Sequence, residues 1–169
     1  MLARLSLCLI VLVSFSCALP MVALAQTIVF DKVYTPPVGS DERVELMNSV
    51  RIAMHSPASK YKVAWLAVFH GQRGSVAVGT LDDVGAGLPV GTVFFEWDQG
   101  KWNARYLIAT DGLTDCGDYV AMQERVLDIS KKVGAPASLF PQSFFDQYKA
   151  AKVPGADSCM GIIDWTATE

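Results

Sequence analysis

"YKVAWLAVFHGQRGSVAVGTL", residues 61 to 81, decides the fold. Its first nine residues are rich in β-branched and aromatic side chains, and so is "SVAVGTL" after the polar stretch His70-Gly71-Gln72-Arg73-Gly74. Two such runs around a short Gly-bearing turn predict a β-hairpin. Downstream, "DDVGAGLPVG" is a looser Gly-rich connection, "TVFFEW" a third strand, Asp98-Gln99-Gly100 a tight turn and "KWNARYLIA" a fourth strand. Four strands joined by short or moderate loops predict an antiparallel meander. Trp65, Phe69, Phe94, Trp97, Trp102 and Tyr106 are expected to supply much of its buried area.

Upstream, "GSDERVELMNSVR", residues 39 to 51, is written to start a helix. Ser40 is a good N-cap, and Asp41 and Glu42 fall in the first turn, where the helix dipole favours negative charge. Val44, Met47, Val50 and Met54, with Leu46 and Ala53 beside them, recur at helical spacing and predict one apolar face laid on the sheet. Glu42, Arg43 and Glu45 are expected on the solvated side. Past the sheet, "DGLTDCGDY" reads as a turn-rich link, after which Asp118 is positioned to cap a helix over "YVAMQERVLDISKKV" that stops at Gly134 before Pro136. A third helix is expected from about Pro141 through "QSFFDQYKAA", followed by the tail "VPGADSCMGIIDWTATE". The fold expected is α+β: an N-terminal helix on an antiparallel sheet of about four strands, then two C-terminal helices and a tied tail.

Residues 1 to 25 carry one cation, Arg4, then an apolar run closing on Ala23-Leu24-Ala25, the small-x-small pattern of a signal peptide. Gln26 is the expected mature N-terminus. A retained anchor is the alternative, since the run is near the lower length for spanning a bilayer; Pro20 and the Ala-x-Ala ending favour cleavage. Ser14 and Phe15 fit a lipobox at Cys17 badly. Cleavage leaves about 144 residues, 26 to 169, the usual size of one domain. Losing Arg4 takes the 14 Lys and Arg down by one against 17 Asp and Glu, a balance of about −4. A weakly acidic chain without a basic cluster has no electrostatic reason to bind nucleic acid or anionic lipid. No stable membrane insertion is expected once the leader is gone, and the expected location is periplasmic or secreted.

Of four cysteines, Cys8 and Cys17 lie in the leader, leaving Cys116 and Cys159. Two cysteines in an exported chain are most simply a disulfide. Its loop of about 44 residues corresponds, in the chain-entropy picture, to about 4 kcal/mol. A reactive thiol, the alternative, needs a lowered pKa and a nearby base.

Few residues advertise chemistry. The two histidines, His55 at a helix end and His70 in a hairpin turn, stand where solvated histidines are common. No Gly-x-Ser-x-Gly elbow, His-Glu-x-x-His motif or Gly-Lys-Ser/Thr phosphate loop is present. Asp111, Asp115 and Asp118 cluster, but capping and turn formation explain them better than calcium does. Asp82 and Asp83 are adjacent in a Gly-rich loop, a poor arrangement for paired acid catalysis. No cofactor or metal is implied.

The order "GSDERVELMNSVR", strand pair, "GKWNARYLI", "TDCGDY" and "GAPASLFP" resembles a group of small exported bacterial proteins of uncharacterised function, which open with Gly-Ser-x-x-Arg and close with Gly/Ala-Pro and Phe-Pro. The similarity spans about residues 34 to 141, rests chiefly on Gly39, Ser40, Arg43 and Arg51, and departs from the pattern at Asn48 and in the tail. It implies no activity. The helix-on-sheet outline is also similar to cystatin-like and nuclear-transport-factor-like folds, a likeness of shape. Two functions stay open. The favoured one is an exported non-catalytic binding or accessory module, such as an inhibitor, immunity or envelope-assembly partner, acting on an envelope or exported protein. The alternative is a small-ligand-binding protein or enzyme with a pocket on the concave sheet face lined by Tyr61, Trp65, Glu96 and Tyr106.

Overall fold

A computed structural model describes residues 31–57 and 60–166. The expected leader, its cleavage point and Gln26 lie outside the described residues. Within them, β1 (Val33–Tyr34) precedes α1 (Asp41–Ala53), then come β2 (Tyr61–Gly71), β3 (Gly74–Asp83), β4 (Leu88–Asp98) and β5 (Lys101–Thr114). Helix α2 (Cys116–Val133), a 3₁₀ turn at Ala137–Leu139, α3 (Gln142–Ala151) and β6 (Cys159–Asp164) complete the order. The fold is α+β, with one six-stranded antiparallel sheet whose strand order follows the chain from β1 to β6.

The four central strands form where the β-rich runs predict them. Gly71 pairs with Gly74 around a two-residue turn, and Asp98 pairs with Lys101 around Gln99-Gly100. Gln99 and Gly100 take φ of 51° and 79°, the left-handed pair that makes a two-residue hairpin follow the twist of its strands. Asp83 shapes the β3–β4 turn, its Oδ1 accepting the N–H groups of Gly85 and Ala86 at 2.8 and 2.9 Å.

Four expected strands become six because the edges are added at long range. β1 contributes two residues opposite Val68 and Phe69 of β2. β6 pairs with β5, so the tail is a strand, and β5 runs on to Thr114 through the first four residues of the segment expected to be a turn-rich link. Gly161 permits this close approach, since a Cβ there would stand 2.8 Å from the Asp111 carbonyl oxygen. The disulfide Cys116–Cys159, with Cα atoms 5.1 Å apart, fastens β6 to the start of α2.

Both sheet faces are covered. On one, Leu46, Met47 and Val50 of α1 pack with Leu66, Val68, Ala77, Phe95, Trp102 and Leu107. On the other, Tyr119, Met122 and Val126 of α2, Leu139 and Phe140, and Phe144 of α3 pack with Phe69, Val76, Val78, Phe94, Tyr106 and Ile108. The pairing skips Ala64 in β2 and Arg105 in β5. At each skip the inward-outward alternation changes phase: Trp102 and Ala104 face α1, while Tyr106 faces α2.

Three local expectations are corrected. Helix α2 starts at Cys116, capped by Asp115, whose Oδ1 accepts from the Gly117 and Asp118 N–H groups at 2.7 and 3.3 Å; Asp118 is a first-turn residue. Val44 is exposed, because at 3.6 residues per turn it stands roughly 200° round the helix from the buried Leu46. Trp97 is 39% exposed and covers Trp102 edge-on instead of entering the core. Ser40 caps α1 as expected, accepting from the Arg43 N–H at 3.3 Å.

Candidate functional site

The polar constellation at the end of the β2–β3 hairpin draws on β1, α1, β2, β3 and β5. His70 and Ser75 are cross-strand partners beside the two-residue turn, so their side chains project on the same face, and Ser75 Oγ lies 2.7 Å from His70 Nδ1. Glu42, in the first turn of α1, reaches the other ring nitrogen, Oε1 to Nε2 at 2.8 Å. Tyr34 of β1 donates its hydroxyl to Glu42 Oε2 and stands 2.9 Å from His70 Nε2. The Trp102 ring lies against the imidazole, centroids 5.9 Å apart.

His70 is therefore a buried member of a strand, not a solvated turn residue, and Glu42 turns inward instead of lying on the solvated side of α1. Burial pushes the Glu42 carboxyl up, but hydrogen bonds from His70 and Tyr34 and the His70 charge outweigh it and hold the group below its ordinary value. Burial, then the hydrogen bond and charge of Glu42, raise the Tyr34 hydroxyl well above its usual range. An ionised carboxylate only accepts, so the Nε2 proton is fixed on the side of Glu42, and in the neutral ring Nδ1 is left as the acceptor for Ser75.

Beside this constellation, and sharing Trp102 with it, an open groove of about 460 Å³ runs between α1 and β5. Glu45, Asn48 and His55 line it from α1 and the residues after it, Lys101 and Asn103 from β5, and Trp165 from beyond β6. Ile52, 76% exposed, is its apolar rim. Glu45 Oε1 accepts the Trp102 backbone N–H at 2.9 Å and ties α1 to β5 at the groove floor.

The four residues expected to line a concave-face pocket do not share a face. Tyr61 is buried with the α1 cluster, whereas Trp65 and Tyr106 belong to the α2 cluster. Tyr106 borders a void of only about 10 Å³ and has the Arg125 guanidinium 5.5 Å above its ring. Glu96 is paired with Arg105 at 3.6 Å. Asp115 and Asp83 are engaged in capping and turn bonds, and Asp82 faces Lys62 at 3.7 Å.

Nothing in the sequence marks Glu42, Ser75 or Tyr34 as members of a site. The His70-to-Ser75 pairing was within reach, since a two-residue turn at Gln72-Arg73 places residues 70 and 75 opposite each other. Docking of Glu42 and Tyr34 onto that pair depends on how α1 and β1 meet the sheet. Comparison of the chain with family models, curated proteins and solved structures gives no match. No helix among the described residues is long and apolar enough to cross a membrane.

Proposed function

We propose that the protein is a periplasmic or secreted binding module that takes an extended, apolar-centred segment of an envelope or exported protein in the groove between α1 and β5. The observation that carries this reading is the groove itself, of about 460 Å³, with exposed Ile52 on its rim, Trp165 in its wall, the buried Trp102 beneath its floor and polar groups at Glu45, Asn48 and Asn103 to fix orientation. An apolar wall with a few placed polar groups is what recognition of a peptide segment requires. Trp102 is held from behind by the Glu42–His70 constellation and by Glu45, so the floor is preorganised, which lowers the ordering cost of association. The Cys116–Cys159 disulfide is compatible with an oxidising compartment.

A pocket on the sheet is disfavoured, because helices pack both faces where Tyr61, Trp65 and Tyr106 sit. The test is photocrosslinking in cells. A benzophenone side chain is placed at Ile52 or Asn48, with Lys149 on the exposed side of α3 as the control position. Adducts of one discrete mass from the groove positions alone, abolished when Ile52→Lys is introduced beside the Asn48 probe, are expected. Equal or absent crosslinking at all three positions overturns the reading.

A further inference from the structure

We propose that Ser75 is an acylatable nucleophile, with His70 as its general base and Glu42 as the residue that positions the imidazole, giving the protein an acyl-ester hydrolase or acyl-transfer activity. This inference is independent of the groove. It stands on a continuous chain of contacts, Ser75 Oγ to His70 Nδ1 at 2.7 Å and His70 Nε2 to Glu42 Oε1 at 2.8 Å, which is the nucleophile, base and carboxylate order of a hydrolytic triad with the two ring nitrogens exchanged. Two further observations support it. Tyr34 donates to the second oxygen of the same carboxylate, Glu42 Oε2, and fixes its direction. Ser75 is half-buried at the first turn of the hairpin's return strand, while His70 is buried beneath the Trp102 ring, so the base is sheltered and the nucleophile is the more accessible member.

In the reaction the Ser75 oxygen bonds to the carbonyl carbon of an ester as its proton passes to His70 Nδ1. The tetrahedral adduct collapses by breaking the bond to the alkoxide, which leaves with the proton from Nδ1. Water then attacks the acyl-serine, giving one proton to Nδ1, and collapse releases the carboxylic acid while Nδ1 returns its proton to Ser75. Nε2 keeps its proton toward Glu42 throughout. Ser75 and His70 are the catalytic residues, and Glu42 is a positioning residue.

The test uses the intact, disulfide-bonded protein, with a fluorophosphonate as the probe and mass spectrometry as the readout. The expected result is a single adduct mapped to Ser75, absent in Ser75→Ala, with labelling slowed by at least about 100-fold in His70→Gln. Slowing in Glu42→Gln with partial recovery in Glu42→Asp separates positioning from mere support of the fold. A thermal melt of each variant accompanies the labelling, and the wild-type mapping stands even where a variant fails to fold. A folded wild-type protein that stays unlabelled, or carries its adduct elsewhere, overturns the proposal and leaves the chain of contacts as packing.

Discussion

Glu42 shows how one side chain can couple pH to folding. Its carboxyl is held below its ordinary value in the folded protein, so its contribution is complete above the unfolded value of about 4.3 and is lost as pH falls through the folded one. Stability measured by urea denaturation is therefore expected to fall on acidification below about pH 4.5, and Glu42→Gln is expected to start lower at neutral pH and to show a flatter acid limb. At the alkaline end, burial pushes the Tyr119 hydroxyl up to about 12, and its bonds to Gln147 and Gln123 keep it engaged in the core. A group raised in this way stabilises the fold fully below its unfolded value near 10, and loses that contribution as pH rises from there toward 12. Gly91 is the residue-scale constraint on the sheet. Its φ is 153°, and a Cβ there would stand 2.0 Å from the Ile108 carbonyl oxygen across the ladder. Gly91→Ala is expected to cost roughly 2–3 kcal/mol in a urea titration, because strained backbone and displaced pairing add.

At the scale of elements, local chemistry set most of the helix ends and hairpin turns. The Ser40 cap, the Gly134 stop at φ 86° and the Gln99-Gly100 turn each depend on residues within a few positions, which is why they were legible. The start of α2 was not, since Asp115 and Asp118 are both acceptable near a helix N-terminus and the choice follows from where β5 ends. Asp115→Ala is expected to lower stability by about 1 kcal/mol, with Asp118→Ala changing it by a few tenths, measured by thermal melts of the two variants side by side. The skipped residues Ala64 and Arg105 were equally hidden. A one-residue change of phase leaves composition untouched and is fixed only by what each face must meet, here α1 on one side and α2 with α3 on the other.

For the molecule as a whole, the clamp on β6 is the decisive long-range feature. Cys159 pairs in register with Thr114, two residues before its disulfide partner Cys116, so the bridge and the ladder reinforce each other. Replacing both cysteines by serine is expected to cost about 2–5 kcal/mol by denaturation, and hydrogen exchange should show the Cys159–Asp164 amides opening before those of β3 and β4. By itself the sequence determined the α+β class, the four central strands with their turns, and the cysteine pair, because hydrophobic period, turn chemistry and scarcity of cysteine are local or countable properties. Only the tertiary structure decided the two edge strands, the covering of both sheet faces and the meeting of Tyr34, Glu42, His70 and Ser75. Those contacts join residues far apart in the chain, Tyr34 to His70 across 36 positions and Tyr106 to Asp164 across 58, and their energy exists only after the backbone has closed the distance.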